Sequence, residues 1–85
     1  MYLNPNQFLY KIGDNDQKIY IILFGRLQIQ KLADGQPCTM GRVNLGWTLG
    51  EEILFDRTLQ TRSEQVFAES DTCLIAISKQ KLAIL

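Results

Sequence analysis

Residues 18–32, KIYIILFGRLQIQKL, carry the clearest secondary-structure signal in this 85-residue chain. The apolar run Ile19–Phe24 is rich in Ile and Tyr and, at six residues, is too short to favour a helix. Gly25 interrupts the run, and residues 26–32 then alternate polar with apolar side chains, which is the period of a half-buried strand. The stretch therefore predicts two β-strands joined at a glycine.

Turn-forming residues on either side of this stretch predict more strands. Ala33-Asp34-Gly35 is typical of a hairpin turn, after which the chain can pair back. The cluster Gly13-Asp14-Asn15-Asp16 marks a turn on the other side. The further predicted strands are Gln7–Ile12, Cys38–Val43, Ser63–Glu69 and Thr72–Ile77. About seven short strands in so small a chain predict a mainly β fold, namely a small antiparallel β-barrel or jelly roll.

Two segments depart from the strand pattern. The segment Glu51–Phe55 follows a glycine, has acidic residues where the helix dipole favours them and ends in apolar residues, so it predicts one short helix. Ser78 is a suitable N-cap for the start of a C-terminal helix. Because Lys81–Leu85 is apolar and lacks a terminating signal, we expect residues 1–85 to form a single domain of a longer chain.

Composition narrows the range of functions. Nine Lys plus Arg balance nine Asp plus Glu, and a chain without excess positive charge lacks the electrostatic footprint of a nucleic-acid or anionic-membrane partner. The six-residue apolar run is far below the roughly 20 residues that span a bilayer, so we expect a soluble, cytoplasmic protein. The chain has no His, which disfavours metal sites and His-based catalysis. We therefore predict that the chain is not an enzyme and that it has neither a metal site nor catalytic residues.

Four residues carry expectations about burial. We expect the thiols of Cys38 and Cys73 to be reduced and partly buried, because such thiols behave as small hydrophobes. We expect Trp47 and Phe55 to be at least partly buried, because large aromatic side chains are more often core residues or loop anchors than ligand-stacking groups.

Three separated motifs resemble the cyclic nucleotide-binding domain, the effector module of cyclic nucleotide-dependent kinases, gated channels and bacterial transcription regulators. The family's Gly-Asp turn and Tyr-Ile-x-x-x-Gly strand are matched by residues 13–14 and 20–25. Its Phe-Gly-Glu motif is similar to residues 49–51, with Leu in place of Phe. Its Arg-Ala-Ala-Thr-Val-x-Ala motif is similar to residues 62–68, RSEQVFA. The resemblance covers nearly the whole chain and implies a jelly roll with a short phosphate-cassette helix.

The resemblance also implies a binding site for cAMP or cGMP at Gly50, Glu51, Ile53, Arg62 and Ser63. A helix that begins near Gly50 exposes backbone N–H groups, and the amides of Ile53 and Ser63 would meet the phosphate. Arg62 would add a charge-assisted fork to a phosphate oxygen, and Glu51 would accept a hydrogen bond from the ribose 2′-hydroxyl. These residue types together supply an anion site and a hydroxyl acceptor.

A regulatory role follows from the same resemblance. Binding would move the short helix, and a longer helix downstream, which caps the base in family members, would repack. That change would be relayed to an effector domain in the same or a partner chain, such as a kinase, a channel or an assembly. A cupin-type enzyme is another possibility. It is disfavoured because such enzymes use His-rich metal sites and this chain has no His.

Departures from the family pattern leave a second function open. Glu51 and Arg62 are eleven positions apart, about two more than is usual in the family. Glu64 stands where the family has a small residue, and strand alternation places it on the same face as Arg62, where it would pair with the guanidinium and repel a phosphate. Glu52 replaces an apolar residue, and Glu51 and Glu52 also suit the helix dipole alone. The alternative is a degenerate domain that serves as a structural protein-interaction module.

Overall fold

The computed structural model describes residues 1–50 and 61–78. The predicted helix at Glu51–Phe55 and most of the predicted C-terminal helix lie outside these ranges. The described residues form eight β-strands. Their bounds are β1 Tyr2–Leu3, β2 Phe8–Tyr10, β3 Lys18–Phe24, β4 Leu27–Ala33, β5 Gln36–Val43, β6 Thr48–Leu49, β7 Gln65–Ala68 and β8 Thr72–Ser78.

The strands form two four-stranded sheets, and every pairing is antiparallel. The first sheet has the order β1-β8-β3-β6 and the second has the order β2-β7-β4-β5. The prediction of a mainly β fold is confirmed. The closed-barrel form of that prediction is wrong for the described residues, because no hydrogen-bonded ladder joins one sheet to the other. Sequence alternation specifies which face of a strand is buried but not which strands pair.

Gly25 sends consecutive strands into different sheets. It lies between β3 and β4 and has a φ of 103°, a left-handed conformation that glycine adopts at little cost. A Cβ atom at this position would lie 2.6 Å from the carbonyl oxygen of Asp71, so the backbone also approaches β8 too closely for a side chain. The predicted break at Gly25 therefore marks the crossing from the first sheet to the second.

The hydrophobic core lies between the two sheets. Each strand of the central region contributes alternate side chains to it, as the period of two requires. Tyr20, Ile22 and Leu74 come from the first sheet, and Leu27 and Val66 come from the second. Burying a side chain of this size stabilises the fold by about 1.5–3 kcal/mol. The core thus fixes the register of the strands that carry the candidate site.

The structure confirms some local expectations and contradicts others. The two strands predicted in residues 18–32 are confirmed, whereas β1 and β6 were missed because two residues carry no readable pattern. Trp47 is 57% exposed, so its expected burial is wrong. Cys38 is exposed, again contrary to expectation, because it lies in the outer part of the β4–β5 hairpin, while Cys73 is half-buried. Phe55 lies outside the described residues.

Candidate functional site

The backbone of Arg62 is held by the Gly-Asp turn near the start of the chain. The amide of Arg62 donates to the carbonyl of Asp14 at 2.8 Å, and the amide of Gly13 donates to the carbonyl of Arg62 at 2.8 Å. The turn is closed locally, since the amide of Lys11 donates to Oδ2 of Asp14 at 2.9 Å. Two motifs about 50 residues apart in sequence are thus joined by a reciprocal pair of backbone hydrogen bonds.

The side chain of Arg62 points inward and is 1% exposed. Nη2 donates to the carbonyl oxygen of Lys18 at 2.5 Å and lies 3.5 Å from Oδ1 of Asp16. The guanidinium carbon lies 4.2 Å from the centroid of the Tyr10 ring, which is within cation–π range. A buried guanidinium is tolerated here because a carboxylate, carbonyl oxygens and an aromatic face surround it.

Gly50 and Arg62 are in direct contact. Nη1 of Arg62 donates to the carbonyl oxygen of Gly50 at 3.3 Å. Gly50 has a φ of 86°, and a Cβ atom there would lie 2.7 Å from Nη1 and 2.9 Å from Nη2. Glycine is therefore required at position 50 both by the backbone conformation and by the close approach of the guanidinium. The structure brings together two of the predicted site residues.

Asp16 and Tyr20 extend this contact into a chain of polar groups. The hydroxyl of Tyr20 donates to Oδ2 of Asp16 at 2.5 Å, while Oδ1 of the same carboxylate faces Arg62. Burial, and then the hydrogen bond to Asp16, raise the pKa of Tyr20 well above its usual range, so the phenol keeps its proton. Asp16 was predicted only as a turn former. The available signal was its position four residues before Tyr20, which carries no information about Arg62.

A cavity of about 230 Å³ opens beside this cluster. Its lining comes from both sheets and combines apolar side chains with polar groups. The lining residues are Tyr10, Ile29, Val43, Trp47, Thr48, Leu49, Gly50 and Glu64. Two of them, Tyr10 and Gly50, also contact the guanidinium of Arg62. The cavity and the buried cation are therefore separated by a single layer of residues.

Glu64 reaches the cavity, as strand alternation predicted, but its ion pair is with another residue. Oε1 of Glu64 lies 3.7 Å from Nζ of Lys31, whereas the ion pair of Arg62 is with Asp16. Both the Glu64 and Lys31 side chains are partly solvent-exposed, so this pair is weak. The carboxylate nevertheless places negative charge at the wall of the cavity.

Of the remaining predicted site residues, only Ser63 lies within the described ranges. Ser63 is exposed and directly follows Arg62, while Glu51 and Ile53 lie outside the described residues. Within residues 1–50 and 61–78, no group of three or more His, Cys, Asp or Glu is placed to hold a metal ion. No helix in those same ranges has the length and apolarity that crossing a membrane requires. What the described residues do present is a buried cation beside a partly apolar cavity.

The chain matches one protein family and several solved structures. The family profile for the cyclic nucleotide-binding domain matches residues 1–85. The half-site-occupied form of the EAL enzyme Bd1971 is 28% identical, over 99% of this chain and 74% of that one, with a TM-score of 0.85. Its cAMP-bound form is 29% identical, over 96% of this chain and 22% of that one, with a TM-score of 0.84.

A more distant structure shows the same fold. The regulatory domain of Toxoplasma gondii PKA, in a co-crystal with cAMP, is 24% identical over 99% of this chain and 31% of that one, with a TM-score of 0.90. A search of curated proteins gave no match. This chain thus spans less than a third of the cAMP-bound EAL enzyme and of the Toxoplasma regulatory domain.

Proposed function

Because the chain belongs to the cyclic nucleotide-binding domain family, we propose that it is a regulatory module that binds cAMP or cGMP. The observation that carries this proposal is the contact between Gly50 and Arg62 beside a partly apolar cavity. A cyclic nucleotide combines one phosphate charge with an apolar base, and this arrangement offers a cation and an apolar wall for those two parts. The cAMP-bound form of the EAL enzyme supports the choice of ligand class.

Arg62 is the proposed phosphate ligand. Its guanidinium now donates to the neutral carbonyl oxygens of Gly50 and Lys18. A phosphate oxygen is a stronger acceptor for this cation than a carbonyl oxygen, because it carries negative charge and allows a bidentate Arg–phosphate pair. Exchange of the Gly50 carbonyl oxygen for a phosphate oxygen would therefore strengthen the hydrogen bond of Arg62 and favour ligand binding. It would also alter the backbone at Gly50, where the proposed cassette begins.

The other proposed contacts follow from the family motif. Glu51 accepts a hydrogen bond from the ribose hydroxyl, and the amides of Ile53 and Ser63 meet the phosphate. The exposure of Ser63 next to Arg62 leaves it accessible to a ligand. The base lies in the apolar part of the cavity, against Ile29 and Leu49.

The regulatory output belongs to a larger protein. The cAMP-bound EAL enzyme and the Toxoplasma regulatory domain are several times longer than the part this chain matches. We propose that residues 1–85 form one cytoplasmic domain of such a protein and act on an effector domain in the same or a partner chain. The domain senses a ligand and catalyses no reaction, in keeping with the regulatory character of its family.

A structural interaction module is the second candidate function. Two observations favour it. Arg62 is already surrounded by Asp16 and backbone carbonyls, so the fold does not depend on a ligand to neutralise this cation. In addition, the carboxylate of Glu64 lines the cavity and opposes an incoming phosphate. In this case the domain would bind a protein partner, and its own cavity would hold no ligand.

Calorimetric titration separates the two functions. cAMP and cGMP are titrated into the 85-residue chain up to millimolar concentration, with 5′-AMP and 5′-GMP as matched non-cyclic controls. The proposed function predicts binding of at least one cyclic nucleotide with a dissociation constant between about 10 µM and 1 mM, and weaker binding of the non-cyclic controls. No uptake of either cyclic nucleotide at millimolar concentration supports the structural module.

A further inference from the structure

Trp47 occupies an unusual position for a tryptophan. It is the only Trp in the chain, it is 57% exposed, and it lines the cavity beside Gly50. An indole ring is large and apolar, so leaving more than half of the residue in water forgoes much of its hydrophobic stabilisation. The packing of the fold therefore does not explain why a tryptophan stands here.

The backbone under this side chain is fixed. The amide of Ile22 donates to the carbonyl of Trp47 at 3.0 Å, and the amide of Gly46 donates to the carbonyl of Ile22 at 3.0 Å. The turn itself is closed by a bond from the amide of Trp47 to the carbonyl of Asn44 at 3.1 Å. This turn joins β5 to β6 and is tied to β3, one of the two inner strands of its sheet. The indole is thus exposed on a rigid support, which lowers the entropic cost of binding.

The rest of the cavity suits a flat apolar group. Ile29, Val43 and Leu49 supply aliphatic surface, and Tyr10 supplies a second aromatic ring. Aromatic side chains bind planar heterocycles by stacking, because every base has a π-face whatever its hydrogen-bonding edge. An exposed indole on the wall of such a cavity is suited to cover one face of a planar ligand.

We propose that Trp47 stacks on the purine base of the bound cyclic nucleotide. The inference rests on the proposed function and deepens it, because it assigns the base to one wall of the cavity. That wall comes from the β5–β6 turn, within the two-sheet fold, and is distinct from the downstream helix that the family resemblance implies as the cap of the base. Trp47 is thus a specificity residue for planar bases.

Calorimetry of Trp47→Ala and Trp47→Phe tests the stacking. Stacking on an aromatic side chain contributes about 1–3 kcal/mol per base, so Trp47→Ala should weaken cAMP or cGMP binding by about tenfold. Trp47→Phe keeps a ring and should retain most of the affinity. Leu45→Ala is the matched control, since Leu45 lies two residues earlier in the same turn, is 69% exposed and is not among the cavity residues. The Leu45→Ala variant should bind the cyclic nucleotide with the same affinity as the wild type.

An abasic ligand separates a stacking role from a structural one. Ribose 3′,5′-cyclic phosphate without a base should bind wild type and Trp47→Ala equally, because it offers nothing to stack. A structural defect would weaken its binding as well. The single Trp also reports directly, and its fluorescence in the wild type should change on titration with cAMP or cGMP but not with the abasic ligand.

The outcomes distinguish this inference from the proposed function. Equal affinity of wild type and Trp47→Ala for the cyclic nucleotide, or binding without a change in Trp fluorescence, overturns the stacking role and leaves the proposed function standing. Loss of abasic-ligand binding in Trp47→Ala also overturns it. Absence of any cyclic nucleotide binding by the wild type overturns both.

Discussion

Nη1 of Arg62 lies 3.3 Å from the carbonyl oxygen of Gly50, twelve residues earlier in the chain. The contact joins two residues that belong to different family motifs. Gly50 lines the cavity, and Arg62 forms an ion pair with Asp16, which accepts a hydrogen bond from Tyr20. The proposed ligand binding and the proposed relay therefore involve the same guanidinium as the local packing, and each can be tested by substituting the residues around it.

Gly50→Ala should destabilise the protein more than Gly46→Ala does. Both glycines have a φ of 86°, so either substitution costs about 1–2 kcal/mol in backbone strain. Only at position 50 would the added Cβ collide with Arg62, because the space around Gly46 is open. We expect an additional loss of about 1–3 kcal/mol at position 50, measured by urea unfolding. Equal losses at the two positions would show that the close approach of Arg62 does not matter.

Tyr20→Phe should destabilise the protein by about 1.5–3 kcal/mol, because it removes a buried hydrogen bond to a carboxylate. Tyr2→Phe is the control, since Tyr2 is 57% exposed, and it should change the unfolding free energy by less than about 0.5 kcal/mol. Urea unfolding at neutral pH measures both. A Tyr20→Phe variant as stable as Tyr2→Phe would rule out a stabilising role for the Tyr20–Asp16 bond.

The same bond predicts a dependence on alkaline pH. The pKa of Tyr20 is raised in the folded state by burial and by Asp16. The folded protein therefore holds this proton above about pH 10, where an unfolded tyrosine releases it, and the unfolding free energy should fall as pH rises above about 10. Tyr20→Phe should show a smaller fall than the wild type between pH 9 and 11 in urea titrations at fixed temperature. Parallel profiles would count against the assignment.

Glu64→Gln should strengthen cyclic nucleotide binding by about twofold to fivefold, because it removes negative charge from the cavity wall at constant shape. Lys31→Gln should have the opposite effect, since Nζ of Lys31 offsets that charge at 3.7 Å. Both effects should shrink at high salt, because the pair is partly solvent-exposed. Unchanged affinity in both variants, measured by calorimetry, would mean that Glu64 does not face the phosphate.

Much of the fold could be predicted from residues 18–32, because alternation and a single glycine specify two strands and a sharp turn between them. The pairing of strands could not, since two sheets and one closed barrel share the same alternating pattern. The family motif assigned Gly50 and Arg62 to one site, but it did not predict the direct contact between them. The role of Asp16 was not predicted either, because a turn-forming residue reveals nothing about a partner 46 positions away until the chain is folded. The exposure of Trp47 likewise depends on tertiary structure.

Calorimetry of Arg62→Lys against the wild type, with cAMP and cGMP, tests the phosphate role of Arg62 most directly. Lysine keeps the charge but loses the fork that a phosphate oxygen pair requires. Arg42→Lys is the control, because Arg42 pairs with Glu69 at the exposed surface, and thermal unfolding confirms that each variant is folded at the titration temperature. We expect a loss of at least about tenfold in affinity for Arg62→Lys and none for Arg42→Lys. A folded Arg62→Lys that binds either nucleotide as tightly as the wild type would exclude the proposed role of Arg62 as phosphate ligand.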